Sequence, residues 1–157
     1  MNIKLDFKNN SFISFLVIFM YRTTHFLYIK RMSFMANILD KFWGIIRWFL
    51  NINSQISYKA IIGKSIRLPH KANGVVISRY AVIGDEVTVY HGVTIGINER
   101  KKNKYVKIGN KCFIGSGAKI INCKIGDNCS IGANAVAFRD VPNYTTVVSI
   151  QQIVNMN

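Results

Sequence analysis

Along the second half of the chain, a branched aliphatic residue usually returns at every sixth position. The series is Ile77, Ile83, Val89 and Ile95, followed after a break by Ile108, Ile114, Ile120, Ile125, Ile131 and Ala137. A second inward column stands four positions behind it: Ala81, Val87, Val93, Cys112, Ala118, Cys129 and Ala135. Because the faces of an α-helix recur at three and four residues, this spacing excludes a helix. It predicts a parallel β-helix, in which each hexad is one short strand and one turn.

Residues 56–146 resemble the left-handed β-helix of the hexapeptide-repeat acyltransferases. Within that family they are most similar to the serine acetyltransferases and their relatives in surface-polysaccharide biosynthesis. The matching segments are residues 68–77, 93–96, 114–119 and 131–142. The resemblance implies a mainly β fold, a left-handed parallel β-helix with an N-terminal helical segment. It also implies a homotrimer with its active site between subunits, acetyl-coenzyme A (acetyl-CoA) as co-substrate and no metal.

Three regions are expected. Residues 1–53 form amphipathic helices over 12–29 and 34–50, residues 54–148 form the β-helix with an excursion at 97–107, and 149–157 form a tail. The segment 12–29 is too short and too polar to be assigned as a membrane span, and no signal-peptide cleavage site follows it. Two interpretations of the helices stay open. They cap the end of the solenoid, or they lie on a membrane with Lys30, Arg31, Lys41 and Arg47 against anionic lipid.

Counting residues along the coils brings two histidines onto one edge. Three hexads make one triangular coil, so residues eighteen apart normally stack. The segment from Leu68 to Ile77 contains a bulge of three residues, the excursion after Ile95 adds seven, and the step from Ile120 to Ile125 is one residue short. With these corrections one column contains His70, His91, Ser116 and Ala133, at the strand spacing of about 4.8 Å per coil.

Imidazole accepts and returns protons near neutral pH, so this column is the predicted active site. The resemblance implies that His70 is the general base and that Ser116 and Ala133 line the pantetheine arm of acetyl-CoA. Gly117, Ala118 and Lys119 complete the expected cofactor site, whereas His91, Asn73, Tyr105 and Lys104 are the expected acceptor-binding residues. For His91 three roles stay open: binding the acceptor, assisting His70 or facing solvent.

The chain departs from the family where an amino-acid acceptor is held. Serine acetyltransferases place carboxylates at the positions of Gln55 and Pro69, and an Arg-His pair at Lys104-Tyr105. The expected acceptor is therefore the hydroxyl of a glycan or a nucleotide sugar, and L-serine is the alternative. The alternative from another class is a catalytically inactive, membrane-docked interaction solenoid, which Gln55 and the unusual C-terminal residues favour. A zinc carbonic anhydrase of the same fold is disfavoured, since its histidine spacing is absent.

The charge balance predicts anionic partners. The chain has 21 Lys and Arg against 7 Asp and Glu, a formal net charge of +14. Five of these cations, Arg100, Lys101, Lys102, Lys104 and Lys107, belong to the excursion, and we expect them to overhang the His70 column and gather anionic groups. Nucleic acid is disfavoured because no nucleic-acid-binding motif is present. The three cysteines fit neither a disulfide framework nor a metal site, so we expect a cytoplasmic protein, with peripheral contact at the inner membrane face left open.

Overall fold

The computed structural model describes residues 3–100, 102 and 104–149. Three helices come first: α1 (Ile3–Asn9), α2 (Phe12–Ile29) and α3 (Ser33–Phe49). Thirteen short strands follow: β1 (Gln55–Ile56), β2 (Ile61–Ile62), β3 (Val76–Ile77), β4 (Ala81–Ile83), β5 (Thr88–Val89), β6 (Thr94–Gly96), β7 (Val106–Ile108), β8 (Phe113–Ile114), β9 (Lys119–Ile121), β10 (Lys124–Ile125), β11 (Ser130–Ile131), β12 (Val136–Ala137) and β13 (Thr146–Val147). Helix α1 was not predicted from the sequence. Of the predicted tail only Ser149 is described, and Lys101 lies outside the described residues.

The strands form three parallel sheets, one for each side of a triangular coil. Sheet A has the order β1-β3-β6-β9-β12, sheet B β10-β7-β4-β2 and sheet C β13-β11-β8-β5. In sheet A, Ile77 pairs with Ile95, Ile95 with Ile120, and Ile120 with Ala137. Both predicted inward columns are buried, and the sequence-based prediction of a β-helix solenoid is confirmed.

The excursion from the coil is two residues shorter than predicted. Strand β6 ends at Gly96 and β7 begins at Val106, so the return to the coil comes at residue 106 rather than after residue 107. Val106 is buried against the core, and Lys107 pairs in register with Val82 and Lys124. These two residues are strand because their alternation of inward and outward side chains continues the hexad pattern.

Glycines stack at the turn between sheets B and C. A Cβ atom on Gly84 would lie 2.7 Å from the carbonyl carbon and oxygen of Gly109. A Cβ atom on Gly109 would lie 2.7 Å from the same two backbone atoms of Gly126. These turns therefore approach each other too closely for a side chain, which explains why glycine follows the inward isoleucine in several hexads.

Helix α2 covers the first coil and satisfies its backbone. Tyr21 donates its hydroxyl proton to the Ala60 carbonyl at 2.9 Å, and Arg22 donates to the carbonyls of Ile62 at 2.6 Å and Gly63 at 2.5 Å. These carbonyls have no coil beneath them, and an unpaired buried carbonyl would cost free energy. These bonds place α2 against the first coil, the position that the capping interpretation of the helices predicts. By length and composition α2 would also suffice to cross a membrane, and 39% of it is buried inside the fold.

A buried ion pair fixes the start of the cap. The Arg22 Nε donates to a carboxylate oxygen of Asp6 in α1 at 3.1 Å, and both side chains are almost fully buried. Burial raises the pKa of the neighbouring Tyr21 to about 12, although the Arg22 charge partly opposes this shift. Tyr21 is therefore held neutral and hydrogen-bonded under the first coil.

Candidate active site

The predicted base, His70, lies on a strained turn at the corner between sheets C and A. His70, Lys71 and Ala72 all have left-handed backbone conformations, with φ values of 54°, 60° and 56°. Such a conformation costs roughly 1–2 kcal/mol for each non-glycine residue. The buried Ala72 anchors the turn in the core, while the His70 side chain is exposed.

The cap helix holds the residue that leads into this turn. The Ser14 hydroxyl donates to the Leu68 carbonyl at 2.6 Å, and the Leu68 N–H donates to the Asn10 side-chain oxygen at 2.7 Å. Both backbone polar groups of Leu68 are thereby fixed by the N-terminal helices. These contacts offset part of the strain and set the direction in which His70 leaves the coil.

The imidazole of His70 contacts that of His91, as the residue count predicted. Their ring centroids are 4.8 Å apart with an interplanar angle of 81°. The backbone of the column, however, runs through Asn73 rather than His70: the N–H of Gly92 donates to the Asn73 carbonyl at 2.9 Å. Because the three bulge residues separate His70 from Asn73, His70 joins the column through its side chain alone.

Above His91 the predicted column continues in register. The N–H of Gly117 donates to the His91 carbonyl at 2.9 Å, and the N–H of Asn134 donates to the Ser116 carbonyl at 2.8 Å. Ser116 and Gly117 are half-buried, and Ala133 is exposed. These small residues leave a track without large side chains beside the histidines.

Two further residues of the expected cofactor site have different positions. The Lys119 ammonium donates to the Gly92 carbonyl at 2.7 Å, so it lies at the track beside His91. Ala118 does not line the track, which corrects its assignment: it is fully buried, its N–H donates to Gly115 and its carbonyl accepts from Thr94. It belongs to the small inward column, where its methyl group fills the core.

A cavity of about 370 Å³ opens beside His70. Its lining combines one cation, three asparagines and apolar residues: Ile13, Leu50, Asn51, Ile52, Asn53, His70, Lys71 and Asn73. Asn73, an expected acceptor-binding residue, lines this cavity, as do Asn51 and Asn53, which were not predicted from the sequence. Their only signal was a polar pair directly after the amphipathic helix. None of the described residues lining this cavity has a carboxylate, and Gln55 lines a neighbouring cavity instead.

The structure does not bring Lys104 and Tyr105 to His70. Lys104 lines a separate cavity with Lys59, Arg79 and Glu99, and the Tyr105 ring lies 5.7 Å from the Lys124 ammonium. The excursion leaves the corner between sheets A and B, whereas His70 lies between sheets C and A. The predicted overhang of the His70 column is therefore wrong within a single chain.

The other titratable groups offer no alternative centre in the part of the chain that the structure describes. No group of three or more His, Cys, Asp or Glu side chains there is arranged to hold a metal ion. Cys112, Cys123 and Cys129 are buried thiols that form no disulfide bond with one another, and burial raises the pKa of Cys112 above its ordinary value. A buried thiol kept neutral is a poor nucleophile, so the thiols act as core residues.

Comparison with known proteins points to one family. Residues 105–137 match the family described as bacterial transferase hexapeptide (six repeats). A serine acetyltransferase of Helicobacter pylori is 38% identical over 130 residues, which are 82% of this chain and 72% of the relative.

Two solved structures share the fold. A serine acetyltransferase of Neisseria gonorrhoeae in complex with serine matches 88% of this chain and 55% of its own, with TM-score 0.75 and 33% identity. One from Brucella abortus in complex with coenzyme A matches 88% and 54%, with TM-score 0.75 and 28% identity. The chain thus spans about half the length of these solved relatives. Sequence and fold together show that the chain belongs to the serine acetyltransferase family of hexapeptide-repeat acyltransferases.

Proposed function

We propose that this protein is an acetyl-CoA-dependent O-acetyltransferase in which His70 is the general base. The observation that carries the proposal is the place of the exposed His70 imidazole, between a polar cavity and the track of small residues. Imidazole is the side chain most often used for proton transfer in catalysis. The Brucella relative's complex with coenzyme A supports acetyl-CoA as the donor.

The chemistry requires one proton acceptor and a hydroxyl held against the thioester. As the hydroxyl oxygen attacks the carbonyl carbon, its proton passes to His70. The tetrahedral intermediate then breaks its carbon–sulfur bond, and the departing thiolate recovers the proton from the imidazolium. His70 ends the cycle in its starting state, so no other proton carrier is needed. We propose that His91, which is exposed and contacts the His70 ring, orients either the acceptor or that ring.

L-serine is the first candidate acceptor, because the relatives are serine acetyltransferases and the Neisseria structure contains serine. Lys71 in the His70 cavity is a cation suited to the carboxylate of an amino acid. This support from the relatives outweighs the preference for a sugar that the sequence departures at Gln55 and Pro69 suggested.

A sugar hydroxyl remains the second candidate on one observation. The polar groups that the His70 cavity offers besides the histidine and Lys71 are the neutral carboxamides of Asn51, Asn53 and Asn73. The ammonium group of serine needs an anionic partner in a closed site, because an unpaired charge there is costly. Hydroxyl groups of a glycan need only neutral hydrogen bonds, which carboxamides supply.

An acceptor screen tests both candidates. Free thiol release from acetyl-CoA would be followed with L-serine, hexoses, N-acetylhexosamines and sialic acid, each against His70→Ala as the control. Turnover of L-serine alone would establish serine acetylation, and turnover of a sugar alone would establish the second candidate. If no acceptor supports thiol release above the His70→Ala background, the proposed activity is wrong.

We also propose that the chain acts as a homotrimer. Each sheet has outward apolar side chains that water reaches, including Ile61, Val82, Phe113 and Val136. Packing flat sheets against copies of themselves would bury these side chains. It would also let the basic excursion of one chain approach His70 of its neighbour, which it does not reach within one chain. Light scattering should give the mass of three chains, and a monomer at micromolar concentration would contradict the proposal.

A further inference from the structure

Helix α3 leaves one whole side uncovered. Its inner side packs on α2, with Ala36 fully buried and the Trp43 ring 6.3 Å from that of Phe19. Its outer side consists of large apolar residues that are 52% to 82% exposed: Phe34, Ile38, Phe42, Ile45 and Phe49 at steps of three and four, with Trp48 next to Phe49. We call these six residues the α3 apolar face. Over 17 residues it is roughly 26 Å long.

Exposed cations lie at the N-terminal end of this face and within it. Lys30 and Arg31 lie in the turn before α3, Lys41 lies on α3 itself, and all three are exposed. The end of α2 and the turn after it add further exposed apolar surface in Phe26, Ile29 and Met32.

The acids of the helical segment do not neutralise these cations. Among the described residues, Asp6 pairs with Arg22 at 3.1 Å and Asp40 pairs with Arg47 at 3.7 Å. No described acid lies within 4.0 Å of the ammonium and guanidinium groups of Lys30, Arg31 and Lys41. The α3 apolar face therefore has unpaired positive charge at its N-terminal end and at Lys41.

This charge pattern separates two occupants of the face. In a two-fold contact between identical α3 faces, each chain would bring its own Lys30, Arg31 and Lys41 to the same interface, where like charges repel. An anionic bilayer complements both features: its acyl region takes the apolar side chains and its headgroups take the cations. Trp48 and Phe49 are exposed aromatic residues, and aromatic side chains, above all those of Trp, favour the membrane–water interface.

We propose that α3 docks the protein on an anionic phospholipid membrane, lying in the plane of the interface. Helix α2 stays in its capping position under the first coil, and α3 is the contact layer between cap and lipid. The solenoid then projects away from the membrane surface. This proposal does not depend on which acceptor is acetylated, since none of the six face residues lines the His70 cavity.

Intrinsic fluorescence reports on this helix alone, because both tryptophans of the chain, Trp43 and Trp48, lie in α3. In a Trp43→Phe variant, Trp48 is the sole reporter and is 82% exposed. Vesicles of phosphatidylglycerol mixed with phosphatidylcholine should shift its emission to shorter wavelength, and vesicles of phosphatidylcholine alone should not. An unchanged emission spectrum with the anionic vesicles would overturn the proposal.

Vesicle sedimentation with matched variants separates docking from attraction by net charge. The double variant Trp48→Ser/Phe49→Ser keeps every charge and should bind anionic vesicles at least tenfold more weakly. The triple variant Lys30→Gln/Arg31→Gln/Lys41→Gln should lose binding and its salt dependence. The control Phe138→Ser/Lys111→Gln removes an exposed aromatic and a cation from the solenoid and should bind as the unaltered protein does.

Two results would contradict the proposal. If the Trp48→Ser/Phe49→Ser variant binds as tightly as the unaltered protein, net charge alone accounts for the binding. The second result is a protein that does not bind vesicles but doubles its mass as its concentration rises. If this doubling is lost in the Trp48→Ser/Phe49→Ser variant, the α3 apolar face binds a second copy of the chain. Thermal unfolding is the control for each variant, and we expect all of them to be folded because the substituted residues are exposed.

Discussion

The imidazole of His91 stands edge to face against that of His70, with the two ring centroids 4.8 Å apart. The two residues arrive there by different routes. His91 lies in a regular turn, and its carbonyl accepts a hydrogen bond from the next coil. His70 lies in a bulge of left-handed backbone conformation, next to a segment that Ser14 of α2 binds. The contact therefore depends on both the solenoid and its cap.

Replacing each histidine separately should distinguish their roles. His70→Ala should lower the acetyl-transfer rate by about two to four orders of magnitude, the usual effect of losing a general base. Acetyl-CoA binding, measured by calorimetry, should stay nearly unchanged because the track lies above His91. His91→Gln, which restores the commoner family residue, should cost much less. A near-normal rate in His70→Ala would remove His70 from the mechanism.

The basic excursion should influence one Michaelis constant. If it reaches the coenzyme A phosphates, replacing Lys101, Lys102 and Lys104 by Gln should raise the apparent Michaelis constant for acetyl-CoA. If it holds an anionic acceptor, only the constant for the acceptor should rise. Either effect should weaken with salt, because exposed charges are screened beyond about 10 Å at 0.1 M. Unchanged constants would make these residues a solvated surface.

The buried ion pair under the first coil should matter far more than the exposed one on α3. Arg22→Met leaves the Asp6 carboxylate buried without its partner and removes bonds to two carbonyls, so it should lower the free energy of unfolding by roughly 3–5 kcal/mol. Arg47→Ala, the matched control, breaks a partly exposed pair worth about 0–1 kcal/mol. Urea denaturation of both variants tests the difference. Equal losses would contradict the capping role of Arg22.

Alkaline pH should destabilise the cap through Tyr21. Its pKa is raised from 10.0 to about 12 in the folded protein, so the folded state keeps a proton that the unfolded state releases. This contribution to stability is complete below pH 10 and is lost as the pH rises from about 10 to 12, at about 1.4 kcal/mol per pH unit. Tyr21→Phe should lack this part of the pH dependence. An identical alkaline slope in both proteins would contradict the assignment.

Two glycine substitutions should change the stability of the protein in opposite directions, because Gly84 lies in a stacked turn and Gly44 lies in helix α3. Gly84→Ala would place a methyl group 2.7 Å from the backbone of Gly109, and such overpacking typically costs about 1–3 kcal/mol. Gly44→Ala in α3 meets nothing nearer than the Arg47 side chain at 3.8 Å, so it should stabilise the helix by up to about 1 kcal/mol. Thermal unfolding of the two variants checks both signs.

The family assignment and the core were within reach of the sequence. Inward positions of a β-helix recur at a fixed spacing because each hexad is one strand and one turn, so Ile77, Ile95 and Ile120 could be stacked by counting alone. The same count placed His91 beside His70 and Ser116 above His91. Local periodicity carries this information because each coil repeats the geometry of the one before it.

Other features depended on contacts between distant parts of the chain. Whether α2 capped the solenoid was decided by bonds such as that from Tyr21 to Ala60, which no local pattern encodes. The sequence favoured a position of Lys104 near His70. In the fold the two residues are separate, because the excursion lies between sheets A and B and His70 lies between sheets C and A. Asn51 and Asn53 became part of the His70 cavity because the segment that follows α3 passes beside the bulge. The hexads determined which residues face inward, and tertiary packing determined which polar groups meet at the site.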